Sequence, residues 1–462
     1  MLNLPINIET ISVISYLLLT LILGLKSGRK VKNFKEYAIG DRNLPTVVIG
    51  MTISATLIGG GSSLGTSTEV FKYGIIVMVA KYGVSLGALL TAFFIIPKMN
   101  KFFGKLSVGE IMGELYGQKV RMITGVSGAL LCIGRVAAQI MALGFVMRYL
   151  FDLPQEVGAF CGAVIIIAYS CFGGVRSVVF TDVLQFIALA VTIPLILNIG
   201  LKMVGGYDGL LAQLPSSKIS LYPNDEMFRK YFIVFLYMSI PMLSPPLAQR
   251  ILMSKSVDQA KKSFIFLAVT DMIFTTVAGL IGLVAFAINP STAPNGAFLN
   301  LINELGVLHI GLKAIAIIGI LSVIMSTIDS YLNTVSTSIV NDVLLQTKIK
   351  FTEKTELYSA RLIILVAGIL ATVVALYFEN IFELAIYCSN FWGSSIVAPL
   401  LLGIFSVKIS SRDCMLSMVC GLSTFLLWEH FDLKEITQIY SIIPSILSNT
   451  MILLLASLIR KK

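Results

Sequence analysis

Runs of apolar residues, each long enough to form a helix across a bilayer, recur from one end of the chain to the other. A helix rises 1.5 Å per residue, so roughly 20 residues cross a hydrocarbon core of ~30 Å. In lipid the backbone must satisfy its own hydrogen bonds, which each run does within itself as a helix. Composition agrees, because 56% of the 462 residues are hydrophobic and only 13% charged. Mean hydropathy is +0.88, which leaves too little charge for the surface of a soluble globule. The chain is expected to be an all-α membrane protein held in the lipid bilayer.

Thirteen transmembrane helices are expected, at 8–27, 45–72, 74–97, 120–150, 157–174, 178–203, 230–249, 262–288, 309–341, 358–378, 381–406, 413–429 and 439–459. The net charge of +10 raises the question of nucleic acid, but its placement answers it. Lys26 to Arg42, Lys98 to Arg121, Arg176, Arg250 to Lys262, Lys348 to Arg361, Lys408 with Arg412, and Arg460 to Lys462 hold 25 of the 35 Lys and Arg, all on alternate loops. By the positive-inside rule these loops face the cytoplasm, so the N-terminus lies outside and the C-terminus inside. No nucleic-acid partner and no obligate protein partner is expected. The opening residues lack a basic region and a cleavage site, so Ile8–Leu25 reads as a retained span of a cytoplasmic-membrane protein. The six cysteines show no CxxC or Cys/His spacing and read as small core residues.

One span carries an unusual polar pattern. Gly319–Asp342 reads GILSVIMSTIDSYLNTVSTSIVND, with Ser322, Ser326, Asp329, Asn333 and Thr337 three or four apart and so on one helical face. Such a face must pack on other helices or line a watery path, and it is read as one wall of a path, with helix-to-helix packing as the alternative. Two other spans are interrupted. Gly59, Gly60 and Gly61 fall in the middle of the second, where each glycine costs roughly 1 kcal/mol against alanine. Pro241, Pro245 and Pro246 break the seventh. These two spans begin successive groups of five, the arrangement of an inverted-repeat transporter whose binding site lies where the breaks meet. The expected division is an extra helix and connector (1–44), a first repeat (45–203), an outer loop (204–229), a second repeat (230–406) and two further helices (407–462).

Charged residues at membrane depth need company. Arg135 lies with Gln139 deep in the fourth span, where an arginine costs ~2.5–3.5 kcal/mol unless paired or wetted. Lys81, Asp182, Asp271 and Asp329 belong to the same class, with an ion pair and a solute or ion contact both open for each; Asp182 is also placed to cap its helix. His309 and His430 read as interfacial, and Glu379 with Glu383 as a solvated outer turn.

Five stretches together resemble the sodium/solute symporter family, which includes sodium/proline, sodium/pantothenate and sodium/glucose transporters. They are EYAIGDRNLP (Glu36–Pro45), SATLIGGGSSLG (Ser54–Gly65), GGVRSVVFTDVLQ (Gly173–Gln185), QRILMSKSVDQAKK (Gln249–Lys262) and IMSTIDSYLNTVSTSIVND (Ile324–Asp342). The resemblance implies a leucine-transporter-like core of five plus five inverted spans with discontinuous first and sixth core helices. It also implies that Na+ is the coupling ion, bound by the carbonyls of Ala55, Ile58 and Val323 and the hydroxyls of Ser326 and Thr327. Asp182 matches a position on the inward sodium exit. Leu57 departs from the proline and sugar transporters, which carry an acid or amide there. Solute contacts are expected from Gly59, Gly60, Gly61, Ser62, Ser63, Gln139, Tyr237, Asn390 and Trp392.

The function expected is sodium-driven import of a small organic solute, such as an amino acid like proline, a carboxylate or a vitamin, by alternating access. Proton coupling through Asp182 or Asp329 is the nearest alternative. A membrane sensor derived from a transporter is another, and it is expected to carry a signalling domain. An enzyme is not expected, because no HExxH or GxSxG context is visible.

Overall fold

The computed structural model describes residues 8–28, 31, 33–40, 42–308, 311–378 and 381–459. His309, Glu379 and Arg460 to Lys462 lie outside the described residues. Every described element is helical. A lone helix α1 (Ile8–Gly28) and a short α2 (Phe34–Ile39) lead into α3 (Thr46–Leu57) and α4 (Gly60–Tyr73), which meet at a 54° bend. Helix α5 (Ile76–Leu90) runs on through a π turn at Thr91–Ile95 and a 3-10 turn to Phe102. Short α6 (Val108–Tyr116) precedes the long α7 (Gln118–Phe151) and α8 (Gln155–Met203). The connection after α8 holds α9 (Gly206–Gln213) and α10 (Ser216–Ile219).

A second broken pair follows, α11 (Asp225–Met238) and α12 (Pro245–Leu252), then α13 (Val257–Ile288), a short α14 (Ala297–Leu308), α15 (Leu312–Asp342) and α16 (Glu353–Tyr377). Helix α17 (Ile381–Trp392) joins α18 (Ala398–Ile404) through a π turn. The chain closes with α19 (Ser411–His430), α20 (Leu433–Thr437) and α21 (Ile442–Ile459).

Nine helices among the described residues are long and apolar enough to cross a bilayer, and the bent α3/α4 pair makes a tenth. Helix α8 has 49 residues, roughly 74 Å at 1.5 Å per residue, far more than one crossing needs. It kinks at Gly174 (φ 58°, ψ −175°) and so serves as the expected fifth and sixth spans without a loop between them. Adding the α11/α12 pair, whose apolar run the prolines interrupt, and the more polar α19 gives thirteen.

The two breaks differ from expectation in register. The first is at Ile58 and Gly59, and Gly60 and Gly61 already belong to α4. The second covers Ser239–Ser244, with Pro245 and Pro246 in the first turn of α12. Proline suits that position because the first-turn amide has no helical partner to lose. The axis of the fold is α15, almost every residue of which is buried between Ala314 and Asp342.

Candidate functional site

The end of α3 supplies free carbonyls. Ile58 leaves the helix at φ −79°, ψ 75° with its N–H on Ser54 O, so the last turn lacks the amides that would otherwise take its carbonyls. Helix α15 meets this end with two hydroxyls. Ser326 Oγ lies 2.8 Å from Ala55 O and 3.1 Å from Val323 O. Thr327 Oγ1 lies 3.5 Å from Thr56 O and 3.1 Å from Val323 O. Gly59 lets the elements close up, since a Cβ there would sit 2.9 Å from Thr327 Oγ1 and 3.2 Å from Gln139 Nε2. These oxygens carry no formal charge and are hard donors, a set suited to a small monovalent cation. Four of the five expected ion-binding residues are thus brought together, and Ile58 forms the turn beside them.

About one turn further along α15, toward its C-terminus, lies a buried ion pair. Arg250 Nη2 is 3.6 Å from Asp182 Oδ2, and both side chains have no exposure. Thr52 on α3 donates to Asp182. Arg250 donates to Ser330 on α15 at 2.9 Å and to Gln249 at 3.1 Å, and Gln249 donates to Ala38 O at 2.6 Å. One network therefore ties α2, α3, α8, α12 and α15. Two expectations are corrected here. Arg250 is no part of a cytoplasmic loop, because α12 continues past it to Leu252. Asp182 lies inside α8 and does not cap it. Arg250, Thr52 and Ser330 were not foreseen, although the QR pair behind the prolines marks the place.

The polar residues of α15 do not share one path-lining face. Asp329 turns to α8, accepting from Tyr169 Oη and Ser170 Oγ at 2.6 Å each. Ser322 meets Tyr16 of α1 at 2.7 Å, and Asn333 lies 3.4 Å from Gln249 Nε2. A helix buried on all sides has no single free face, so Asp329 and Ser322 bind neighbouring helices while Ser326 and Thr327 face the break.

Elsewhere, Arg135 of α7 donates to Ser389 of α17 at 2.6 Å, and its Nε has no partner among the described residues. No described carboxylate forms an ion pair with it. Tyr237 Oη donates to Asn390 Oδ1 at 3.2 Å. Gln139 and Ser63 are buried, Ser62 is exposed, and Trp392 is buried with its indole donating to Met242 O in the second break at 3.1 Å. Lys81 and Asp271 bond elsewhere, to Thr66 at 2.8 Å and from Ser85 at 2.7 Å. His430 and Glu383 are exposed. Lys218 of α10 bonds Phe71 O at 2.6 Å and so caps α4, and burial holds its amine below the usual lysine value.

Residues 37–421 match the profile of the Sodium:solute symporter family. Among relatives, a sodium/sialic acid symporter of Aliivibrio fischeri is 23% identical over 91% of this chain and 87% of its own. A high-affinity proline transporter of Bacillus subtilis is 22% identical over 92% of both chains. A solved structure of a substrate-bound, outward-open Na+-coupled sialic acid symporter aligns over 98% of both chains with a TM-score of 0.84 at 20% identity.

Proposed function

Since the chain belongs to the sodium:solute symporter family, we propose how its own residues carry that function. It is a multi-pass membrane transporter with a leucine-transporter-like core, and it couples Na+ to the symport of a small solute. The sodium is held by the carbonyls of Ala55, Ile58 and Val323 with the hydroxyls of Ser326 and Thr327. The observation that carries this is Ser326 Oγ at 2.8 Å from Ala55 O, across the helix break. Below it, Asp182 and Arg250 bar the inward exit as a pair, and their separation releases the ion.

The solute is an anion or zwitterion whose carboxylate meets Arg135. A guanidinium with a free Nε and no carboxylate partner at membrane depth is costly unless the cargo completes it. Sialic acid and proline, named for two relatives, both carry a carboxylate. Gly59, Gly60, Gly61, Ser62, Ser63, Gln139, Tyr237 and Asn390 line the remainder of this site, and Trp392 braces it from the second break. The repeats occupy 45–203 and 230–406 in a cytoplasmic membrane, with the N-terminus outside, and no obligate protein partner is needed.

The test is uptake into proteoliposomes of labelled sialic acid, proline and other small carboxylates under a sodium gradient. Replacing Ser326 and Thr327 by alanine should weaken sodium affinity by on the order of 1–3 kcal/mol per lost ligand, with the fold intact. Arg135→Met should abolish carboxylate uptake and leave sodium binding. Unchanged sodium dependence in the double variant would place the ion elsewhere.

A further inference from the structure

The connector between α19 and α21, outside both repeats, reaches back to the solute site. Asp432 (φ 47°) and Gln438 (φ 58°), both left-handed, bracket α20 and fold the segment into a compact turn. The Trp428 indole donates to Ile439 O at 3.0 Å and pins its far end. Beyond that pin the Tyr440 ring lies on Tyr237, centroids 5.4 Å apart and planes within 13°. Ser441 Oγ is 3.2 Å from Asn390 Nδ2. Asn390 Oδ1 in turn accepts from Tyr237 Oη. Four side chains from α11, α17 and the connector thus form a closed ring. Tyr237 is 6%, Asn390 2% and Ser441 1% exposed, and the partly exposed Tyr440 lies over Tyr237. Lys434 places its amine 5.0 Å from the Tyr440 centroid.

Ser389, next to Asn390, is the residue that holds Arg135. The connector therefore touches Asn390, one residue along α17 from the serine that holds Arg135, and Tyr237, which donates to Asn390. Packing of two accessory helices would not need a flat aromatic stack and a buried amide shared between them and the core. A closure that must open and reseal does, because stacked rings part without leaving a cavity and the Asn390 amide exchanges one hydroxyl partner for another.

We propose that Tyr440 and Ser441 form the outer closure of the solute path and help set which solutes pass. Tyr440 is the lid over Tyr237, and Ser441 fixes the rotamer in which Asn390 meets the solute. This rests on the placement of the solute beside Arg135.

The experiment uses the full chain in intact cells, with the six native cysteines replaced by serine and Ser389→Cys as reporter. Two membrane-impermeant reagents of similar size are applied, anionic 2-sulfonatoethyl and cationic 2-(trimethylammonio)ethyl methanethiosulfonate. Tyr440→Ala should raise reporter labelling by both, about tenfold for the anionic reagent and less for the cationic one, and Tyr440→Phe, which keeps the ring, should stay within about twofold of the unaltered lid. Tyr237→Ala, which breaks the same stack from the core side, should match Tyr440→Ala, and the two together should add nothing further. A control cysteine at exposed Ile436 should label alike in every variant. An unchanged rate in Tyr440→Ala, or an equal rise in Tyr440→Phe, overturns the closure. If the rates rise but the anionic reagent gains nothing over the cationic one, the closure stands and the anion site at Arg135 falls.

Discussion

Arg250 is a charged side chain with no exposure at all, and it persists there because Asp182, Ser330 and Gln249 take up its charge and protons. Removing one member of such a pair leaves the other buried and unpaired, which costs about 3–5 kcal/mol. Asp182→Asn and Arg250→Met should therefore each lower thermal stability in detergent, and the double variant should lose much less than the sum of the two. Additive losses would show that the two groups do not act as a pair. Sequence alone marked Asp182 and missed its partner. Arg250 opens a basic stretch, which ends the seventh span at residue 249 on sequence grounds, and the hydrogen bonds that carry Arg250 inward come from α3 and α15, distant in the chain. The residues proposed to hold the ion came through the family resemblance of Ser54–Gly65 and Ile324–Asp342, and not from spacing alone. Arg135 was visible as a buried charge, whereas its contact Ser389 was not, since nothing in the spacing of α17 separates Ser389 from its neighbours.

Helix α8 shows how one residue shapes an element. Gly174 adopts φ 58° with ψ −175°, a region open essentially to glycine alone. A Cβ there would also lie 2.7 Å from the Tyr37 ring and 3.1 Å from Tyr37 Cα. Gly174→Ala should cost roughly 1–3 kcal/mol and displace α2 from the kink, read as a lower melting temperature with faster proteolysis around Phe34–Ile39. A variant as stable as the parent would mean that the kink does not depend on this backbone state. Hydropathy located both halves of α8, but it could not reveal that they join without a loop, because a kink leaves no polar signature. The glycine triplet located the first break within two residues. Glycines weaken a helix interior yet are harmless in a first turn, so the chain breaks just before them and restarts on Gly60.

The whole molecule follows from the apolar runs, whose length and alternating loop charge were enough to set out its crossings. The same loop charges predict its orientation. An impermeant thiol reagent applied outside should label a cysteine placed at exposed Ser216 and leave one at exposed Lys350 unlabelled until the membrane is opened. The reverse pattern would invert the protein. At this scale the Arg135 guanidinium, which has no ion-pair partner among the described residues, has an electrical consequence. It is fixed to α7, so the charge that travels is that of the cargo and its sodium. A univalent anion with one Na+ moves as a neutral couple on which the membrane voltage does no work, and concentration differences alone drive it. Each additional Na+ carries one net charge inward, worth about 2.3 kcal/mol per 100 mV. The steepness of uptake against voltage therefore counts the ions that accompany each solute.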